Sequence, residues 1–273
     1  MMTSGIRSSF RFDADTALTP AGENTWTAEV RSGWGAIGGQ PNGGYLLALA
    51  LGAAAEAVPG SRPYSVNAHY LRPGEVGAAE LAADVVKLGR LKSTVEARLR
   101  QRGKERVRVL ATLGPQTDET ALAVLTVPPP RLPDPDDCVK AAPGVVGAEA
   151  DMVGRFDYRV APVSRWSTGR TSDRAVIEGW IRFADGREPD LASLPLFADA
   201  FPPAVYEVVE TGLAPTVELT VHLRRRPAPG WLQVRFGTRL LAGGVLEEDG
   251  EIWDSEGHLV AMSRQLALLL PVG

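Results

Sequence analysis

The feature that most constrains the fold is a pattern of secondary structure that occurs twice along the chain. In each half, a short strand-like segment precedes an apolar segment typical of a helix, and four strand-like segments follow. A proline-rich stretch, PPPRLPDPDD at residues 128–137, separates the halves. Because proline suits neither a helix interior nor a central strand, we expect an extended linker between two similar units.

The first half predicts a strand at residues 25–30 and a helix at residues 45–58. Ala and Leu dominate the helical segment, Asn42 is a suitable N-cap, and Pro59-Gly60 would end the helix. Apolar residues surround the helix axis, so we expect burial on most sides. Turn residues separate the four predicted strands that follow, at residues 65–71, 79–88, 93–101 and 105–113.

The second half predicts a strand at residues 175–183 and a helix at residues 190–201, capped by Asp190 and ended by Pro202-Pro203. Four further strands are predicted at residues 216–223, 231–240, 244–254 and 259–270. One half alone would leave a sheet edge exposed, whereas two halves paired edge to edge would form one continuous sheet.

The predicted fold class is therefore α+β, with the architecture of a double hotdog. Each of two tandem repeats would wrap a curved antiparallel sheet around a long buried helix. The predicted boundaries are 1–127 for the first repeat, 128–150 for the linker and 151–273 for the second repeat.

Charge and hydropathy exclude several classes of partner. The net charge of −4 argues against a nucleic-acid partner, because phosphate contacts require a basic face. The most apolar stretch, residues 45–55, is far shorter than the roughly 20 residues of a membrane span, so no membrane partner is expected. Residues 1–16 lack the apolar core of a signal peptide. With a single cysteine, Cys138, this favours a cytoplasmic protein.

Several catalytic motifs are absent or misleading. Residues 33–38 match G-x-G-x-x-G, but Pro41 interrupts the helix that a dinucleotide site requires, and antiparallel strands follow. No serine lies in a G-x-S-x-G motif. The histidines, His69, His222 and His258, lack the spacing of metal ligands, so neither a metal nor a cofactor is expected.

Carboxylate chemistry remains as the candidate. Asp199 lies within the apolar segment LPLFADAFPP, where burial would raise its pKa towards the range of a general base. The alternative is that Asp199 faces solvent on an amphipathic helix. Thr216 opens the next predicted strand and Gln265 lies in the last one. Both are neutral hydrogen-bonding residues that can orient a water or a carbonyl.

A series of short motifs, in this order, gives the chain a family resemblance. The motifs are Asn42-Gly43-Gly44-Tyr45, HYLRPG at 69–74, GWIR at 179–182, ADAF at 198–201, TVELT at 216–220 and VAMSRQ at 260–265. The sequence resembles the TesB-like (type II) acyl-CoA thioesterases, which have a double-hotdog fold. The resemblance covers roughly residues 20–115 and 155–270.

The resemblance implies a catalytic Asp, Thr and Gln at Asp199, Thr216 and Gln265, with Thr220 as the alternative threonine. The Gly-Gly-Gln of better-known members is Gly43-Gly44-Tyr45 here, at the start of the first helix. These three residues are the candidate oxyanion and substrate-binding residues. Helix N-termini offer free N–H groups, so the backbone N–H of Gly44 or Tyr45 is expected to bind the oxyanion.

The implied function is hydrolysis of acyl-CoA or acyl-carrier thioesters in fatty acid metabolism, without a cofactor. The alternative is a hotdog protein that binds acyl groups or acyl-CoA without hydrolysing them. Exposed sheet edges would allow a homodimer of double hotdogs. The candidates for the walls of an acyl tunnel are aromatic, namely Trp34, Tyr45, Tyr70, Phe197 and Phe201.

Overall fold

The computed structural model describes residues 10–116, 124–140 and 150–270, apart from positions 163, 169, 210 and 211. These residues form a 14-stranded sheet in which every strand pair is antiparallel. The strands are β1 (Thr19–Gly22), β2 (Thr25–Val30), β3 (Arg62–Tyr70), β4 (Gly77–Lys87), β5 (Ser93–Gln101), β6 (Lys104–Gly114), β7 (Val139–Lys140), β8 (Phe156–Val160), β9 (Val176–Phe183), β10 (Thr216–Leu223), β11 (Leu232–Gly237), β12 (Leu241–Ala242), β13 (Val245–Trp253) and β14 (Leu259–Leu268).

In the described ranges, four short or medium α-helices accompany the sheet. They are α1 (Arg11–Asp15), α2 (Gly43–Glu56), α3 (Arg165–Thr168) and α4 (Leu194–Phe197). Single 3-10 turns occur at Pro135–Asp137, Asp151–Arg155 and Ala204–Glu207. None of the helices in the described ranges has both the length and the apolar character needed to cross a membrane.

The order of strands across the sheet shows the internal repeat. The order is β1-β2-β4-β5-β6-β3-β10-β14-β13-β11-β9-β8-β7, with β12 paired to β13. The repeats meet where β3 pairs with β10, and Val66 lies opposite Val221 there with both side chains fully buried. This confirms the predicted edge-to-edge pairing and the double-hotdog architecture.

Helix α2 is the long buried helix that the first half predicts. It begins two residues earlier than expected, and Asn42 caps it by accepting the Tyr45 N–H at 3.0 Å. It packs against β2, β3, β4, β5 and β6. Nearly every residue from Gly44 to Ala54 is buried, which explains why apolar residues surround the axis of α2 on most sides.

The second predicted helix, 190–201, is wrong in its length, because α4 is a single turn at Leu194–Phe197. Asp190 and Ser193 cap this turn reciprocally, each side chain accepting the other's backbone N–H at 2.9 Å. The chain then leaves the helical conformation before Pro202-Pro203. Proline disfavours a helical conformation in the residue before it and supplies no N–H, so the local sequence shortens the helix.

Helices α2 and α4 contact each other at Gly44 of α2. A Cβ on Gly44 would lie 2.8 Å from the Pro195 carbonyl oxygen and 2.9 Å from Cα of Leu196. Only glycine permits this approach. The contact brings the N-terminus of α2, in the first repeat, against the chain that carries Asp199 in the second.

The described part of the proline-rich segment lies against the second repeat. The carbonyl of Pro130 accepts a hydrogen bond from Gln233, and that of Pro133 accepts one from Trp180. Cys138 is buried there, and burial together with Asp137 raises the pKa of its thiol. The predicted boundaries of the segment, 128–150, include residues 141–149, which lie outside the described ranges.

Candidate active site

A cavity of about 570 Å³ lies where the two repeats meet at the N-terminus of α2. Asp199, Thr216 and Gln265 all line it, and Gly43 lines it from the first repeat. The structure therefore brings together residues that are up to 222 positions apart in the sequence. Such a concave, mostly apolar space with a few convergent polar groups is typical of a ligand site.

Asp199 is held by the start of α2. Its Oδ2 accepts a hydrogen bond from the Gly44 N–H at 2.8 Å and another from Asn42 Nδ2 at 2.8 Å. The Asn42 amide also donates to the backbone carbonyl of Asp199 at 2.9 Å. The Asn42 side chain thus caps α2 with its oxygen and holds Asp199 with its nitrogen.

Opposing effects set the pKa of Asp199. Burial raises the pKa of its carboxyl to about 6, while hydrogen bonds from Gly44, Asn42 and Gly43 limit the rise. The group is consequently ionised at neutral pH and still basic enough to accept a proton. The alternative that Asp199 faces bulk solvent does not hold, because its carboxyl lies against α2 and in the cavity.

Gly43 and Gly44 leave the space that Asp199 needs. A Cβ on Gly43 would lie 3.0 Å from Asp199 Oδ2 and 3.0 Å from Cζ of Tyr70. A Cβ on Gly44 would lie 2.9 Å from Cβ of Asp199. The glycine pair is required by close approach across the two repeats.

The expected oxyanion role of the Gly44 or Tyr45 N–H needs correction. The Gly44 N–H donates to Asp199 Oδ2, and the Tyr45 N–H donates to Asn42 Oδ1. Each of these N–H groups is therefore already used within the protein. The side chain of Tyr45 is also remote from the cavity, fully buried and stacked on Trp34 at a centroid distance of 5.2 Å.

Thr216 and Gln265 reach the cavity from neighbouring strands. Thr216 is the first residue of β10, and Gln265 lies on β14 opposite Leu219 of β10 and Glu248 of β13. Thr220 does not line the cavity, and its hydroxyl bonds to Glu218 and Asn67 instead. Of the two threonines that the sequence left open, Thr216 is therefore the one that lines the same cavity as Asp199.

Glu248 is a cavity residue that the sequence interpretation missed. It is buried, and its Oε2 accepts the backbone N–H of Ala204. Burial, with a contribution from the nearby Asp199 charge, raises the pKa of Glu248 to about 8, so the group is neutral at pH 7. The alternation of Leu246, Glu248 and Ile252 on one strand face was a signal that could have placed this acid inward.

The hydroxyl of Tyr70 is a second polar group of the cavity that the sequence did not point to. Tyr70 was expected only as a tunnel wall, and it does line the cavity, as does Phe201. The other three aromatic candidates, Trp34, Tyr45 and Phe197, belong to the core instead. Burial and the neighbouring Asp199 raise the pKa of the Tyr70 hydroxyl well above its ordinary value.

The remaining cavity wall is mainly apolar. Its aliphatic side chains come from both repeats and include Ile37, Leu46, Met152, Val153, Leu213 and Leu268. Among the described lining residues, Arg72 is the only cation, and it lies at an exposed position on the rim. An apolar chamber with a cation at its mouth suits a ligand with a hydrocarbon part and an anionic part.

The fold and the cavity together define a double-hotdog protein with a carboxylate in the cavity between its repeats. Family comparison agrees along most of the chain. Residues 30–114 match the acyl-CoA thioesterase N-terminal domain, and residues 127–269 match the acyl-CoA thioesterase C-terminal domain. The chain belongs to this acyl-CoA thioesterase family and is a thioester hydrolase.

Individual proteins are similar to the chain in sequence, in fold or in both. The crystal structure of a proposed thioesterase II from Thermobifida fusca YX is 34% identical, with a TM-score of 0.88 and coverage of 96% of this chain and 98% of that one. A hot dog fold protein of unknown function from Alicyclobacillus acidocaldarius is similar in fold, with a TM-score of 0.84, 22% identity and coverage of 97% and 100%. The uncharacterized protein Rv0499 of Mycobacterium tuberculosis is 30% identical over 88% of this chain and 89% of its own length. The resemblance to type II thioesterases is confirmed.

Proposed function

We propose that this thioester hydrolase cleaves acyl-CoA. Asp199 is the general base, and Thr216 and Gln265 orient the attacking water by hydrogen bonds. The observation that supports the proposal is the shared cavity of these three side chains. A base must be ionised before it can accept a proton, and it works best when its pKa is near the working pH. The pKa of about 6 for Asp199 meets both requirements.

The reaction follows from this arrangement. Asp199 removes a proton from the water, and the water oxygen forms a bond to the thioester carbon. The π-electron pair of the carbonyl moves to its oxygen, giving a tetrahedral oxyanion. When this intermediate collapses, the C–S bond breaks, and the proton on Asp199 passes to the departing sulfur. The products are a carboxylic acid and the CoA thiol, with no cofactor consumed.

The cavity also supports the choice of substrate. The aliphatic wall offers an environment for an acyl chain, and transfer of such a chain from water is favourable by about 0.8 kcal/mol per CH₂ group. Arg72 on the rim is positioned to meet a phosphate of CoA. An acyl-carrier thioester would present a phosphopantetheine arm through the same opening.

Hydrolysis of a panel of acyl-CoA thioesters, from short to long, tests the proposal. Released thiol is followed with a chromogenic disulfide for the wild type, Asp199→Asn and Asp157→Asn. Asp157 is the matched control, because it forms an exposed ion pair with Arg182 outside the cavity. We expect Asp199→Asn to lower kcat about 100- to 10,000-fold, and Asp157→Asn to have little effect.

Two outcomes would contradict the proposal. Equal turnover by the wild type and Asp199→Asn would remove Asp199 from the role of base. Absence of wild-type turnover, with acyl-CoA still bound, would favour the alternative of a binding protein. Running the same panel on acyl-carrier thioesters separates CoA from a carrier as the natural leaving group.

A further inference from the structure

We propose that the hydroxyl of Tyr70 donates a hydrogen bond to the thioester carbonyl oxygen and stabilises the oxyanion. The inference rests on the proposed hydrolysis and adds a catalytic residue to it. A side-chain donor is needed for the oxyanion because the Gly44 and Tyr45 N–H groups at the start of α2 already donate hydrogen bonds within the protein.

Tyr70 differs from every other tyrosine in the chain. The chain has 5 tyrosines, and the other four each donate the hydroxyl proton to a backbone carbonyl. The Tyr70 hydroxyl is buried and has no hydrogen-bond partner among the described residues. A buried donor without a partner costs about 1–3 kcal/mol, so its presence in a cavity indicates a ligand that completes it.

The position of Tyr70 is suitable for this role. It is the last residue of β3, and its ring covers the bare Cα of Gly43, with Cζ and Cε1 at 3.0 and 3.1 Å from the site of a Cβ. Asp199 Oδ2 lies 3.0 Å from the same point. The ring carbon that carries the hydroxyl and the Oδ2 of the base therefore lie at the same distance from one point beside Gly43, and both residues line the cavity. A thioester carbonyl bound beside them would meet the donor and the attacking water together.

The chemistry requires Tyr70 to keep its proton. Burial and the Asp199 carboxylate both disfavour the phenolate, so the hydroxyl remains a donor throughout the working pH range. Charge grows on the carbonyl oxygen as the water attacks, and the hydrogen bond strengthens with that charge. No proton leaves Tyr70, and the bonds formed and broken are those of the hydrolysis given above.

The variant Tyr70→Phe tests the donor while keeping the ring. Tyr64→Phe is the matched control, because Tyr64 lies on the same strand and its hydroxyl donates to Pro115 away from the cavity. We expect Tyr70→Phe to lower kcat roughly 100- to 1,000-fold with a small change in KM. The acid limb of the pH–rate profile, which reports Asp199, should not move.

Two non-hydrolysable ligands separate contact with the carbonyl from packing. A ketone analogue, in which CH₂ replaces the sulfur of acyl-CoA, keeps the carbonyl, whereas an S-alkyl-CoA thioether lacks it. We expect Tyr70→Phe to weaken binding of the ketone roughly 2- to 10-fold and to leave the thioether unchanged. Thermal unfolding of the variants checks that both remain folded.

Several results would overturn the proposal. One is a Tyr70→Phe variant with the kcat of the wild type, and another is an equal loss of affinity for the ketone and the thioether. A shifted acid limb would also overturn it, because Tyr70 would then act on the pKa of Asp199 instead of on the carbonyl. The binding pair also keeps this test separate from the proposed hydrolysis. Even if the wild type turns over no thioester, the ketone and thioether still show whether Tyr70 contacts a carbonyl.

Discussion

The helices of the two repeats occupy corresponding places in the fold and have different lengths. In the first repeat, α2 has 14 residues, whereas α4 in the second repeat has 4. The long helix presents backbone N–H groups at its start, and the short one ends just before Asp199. The site exists because the N-terminus of one helix meets the chain leaving the other.

The strands show a similar contrast. The buried face of β5 carries Val95, Ala97 and Leu99 along its centre, while the buried face of β13 includes Glu248. The second repeat therefore supplies the two acids found among the described cavity residues, Asp199 and Glu248, and the first supplies Asn42, the glycine pair and Tyr70. The two repeats therefore have different roles in the site: the second holds the acids, and the first supplies the N–H groups that hydrogen-bond to Asp199.

Disturbing the contact between α2 and α4 at Gly44 should have the largest effect on activity. In Gly44→Ala, the new methyl group would meet the Pro195 carbonyl and Asp199. We expect a loss of stability of about 1–3 kcal/mol and a large loss of activity, because displacing a catalytic group by 1 Å can cost about 100-fold.

Gly52→Ala in the same helix is the control for Gly44→Ala. Its new methyl group would lie 3.5 Å from Leu18, an ordinary contact, and alanine favours a helix over glycine by roughly 0.5–1 kcal/mol. We therefore expect Gly52→Ala to stabilise the protein. Denaturant unfolding and acyl-CoA hydrolysis of both variants measure the difference, and equal effects on stability would refute the close approach at Gly44.

Glu248 gives the next largest effect, visible in the pH dependence of stability. Its pKa is about 8 in the folded protein, against an ordinary value of 4.5 for a glutamate carboxyl. Between these pH values the folded state retains a proton that the unfolded state has released, so rising pH destabilises the wild type by up to about 1.4 kcal/mol per unit. The variant Glu248→Gln has no titrating group at this position, so it does not lose stability in this way.

We thus expect Glu248→Gln to gain stability relative to the wild type as the pH rises from 5 to 8, and to gain no more above that. Glu247→Gln, on the neighbouring residue, is the control. Chemical denaturation at several pH values measures both variants. A constant difference between Glu248→Gln and the wild type would mean that Glu248 is ionised in the folded protein at pH 7.

Asn42 allows the electrostatic link between the repeats to be weakened without removing the helix cap. In Asn42→Ser, a hydroxyl can still accept the capping N–H, but the amide donor to Asp199 is lost. We expect the pKa of Asp199 to rise, on the order of one unit, because a hydrogen bond to the charged form is missing. The acid limb of kcat/KM should move to higher pH by the same amount, and an unmoved limb would show that Asn42 does not tune the base.

The smallest effect concerns the rim. Arg72→Ala removes the only cation among the described residues that line the cavity. We expect a KM for acyl-CoA roughly 2- to 5-fold higher and an unchanged kcat, because an exposed charge contributes about 1 kcal/mol or less to a contact. An acyl thioester of N-acetylcysteamine, which lacks the CoA phosphates, should show no change in KM.

Much of the fold could be predicted because local patterns decide it. The bounds of β2, β5 and β10 follow from alternation and turn residues, and Asn42 marks the start of α2. The predicted helix at 190–201 was too long, because the apolar composition of the segment does not show that α4 is limited to Leu194–Phe197. The edge-to-edge pairing of the two halves followed from the need to cover exposed edges, whereas the identity of the paired strands, β3 and β10, did not.

Individual site residues could be predicted from the sequence, but the hydrogen bonds between them could not. Asp199 was recognisable as an acid among apolar residues, but its hydrogen bonds to Asn42 and Gly44 join positions 157 and 155 residues apart. The expectation of a free N–H at Gly44 failed for the same reason. The polar role proposed for Tyr70 depends on a hydroxyl left without a partner, and no sequence pattern encodes that property.

The most direct test of the account is the pH dependence of kcat/KM for acyl-CoA hydrolysis by the wild type and Asp199→Asn. Since kcat/KM reports ionisations of the free enzyme, the wild-type rate should rise with pH through a single pKa of about 6, and the residual rate of Asp199→Asn should lack this limb. A limb that persists unchanged in Asp199→Asn would show that another group is the base, and would contradict the central claim that α2 of the first repeat tunes a catalytic carboxylate of the second.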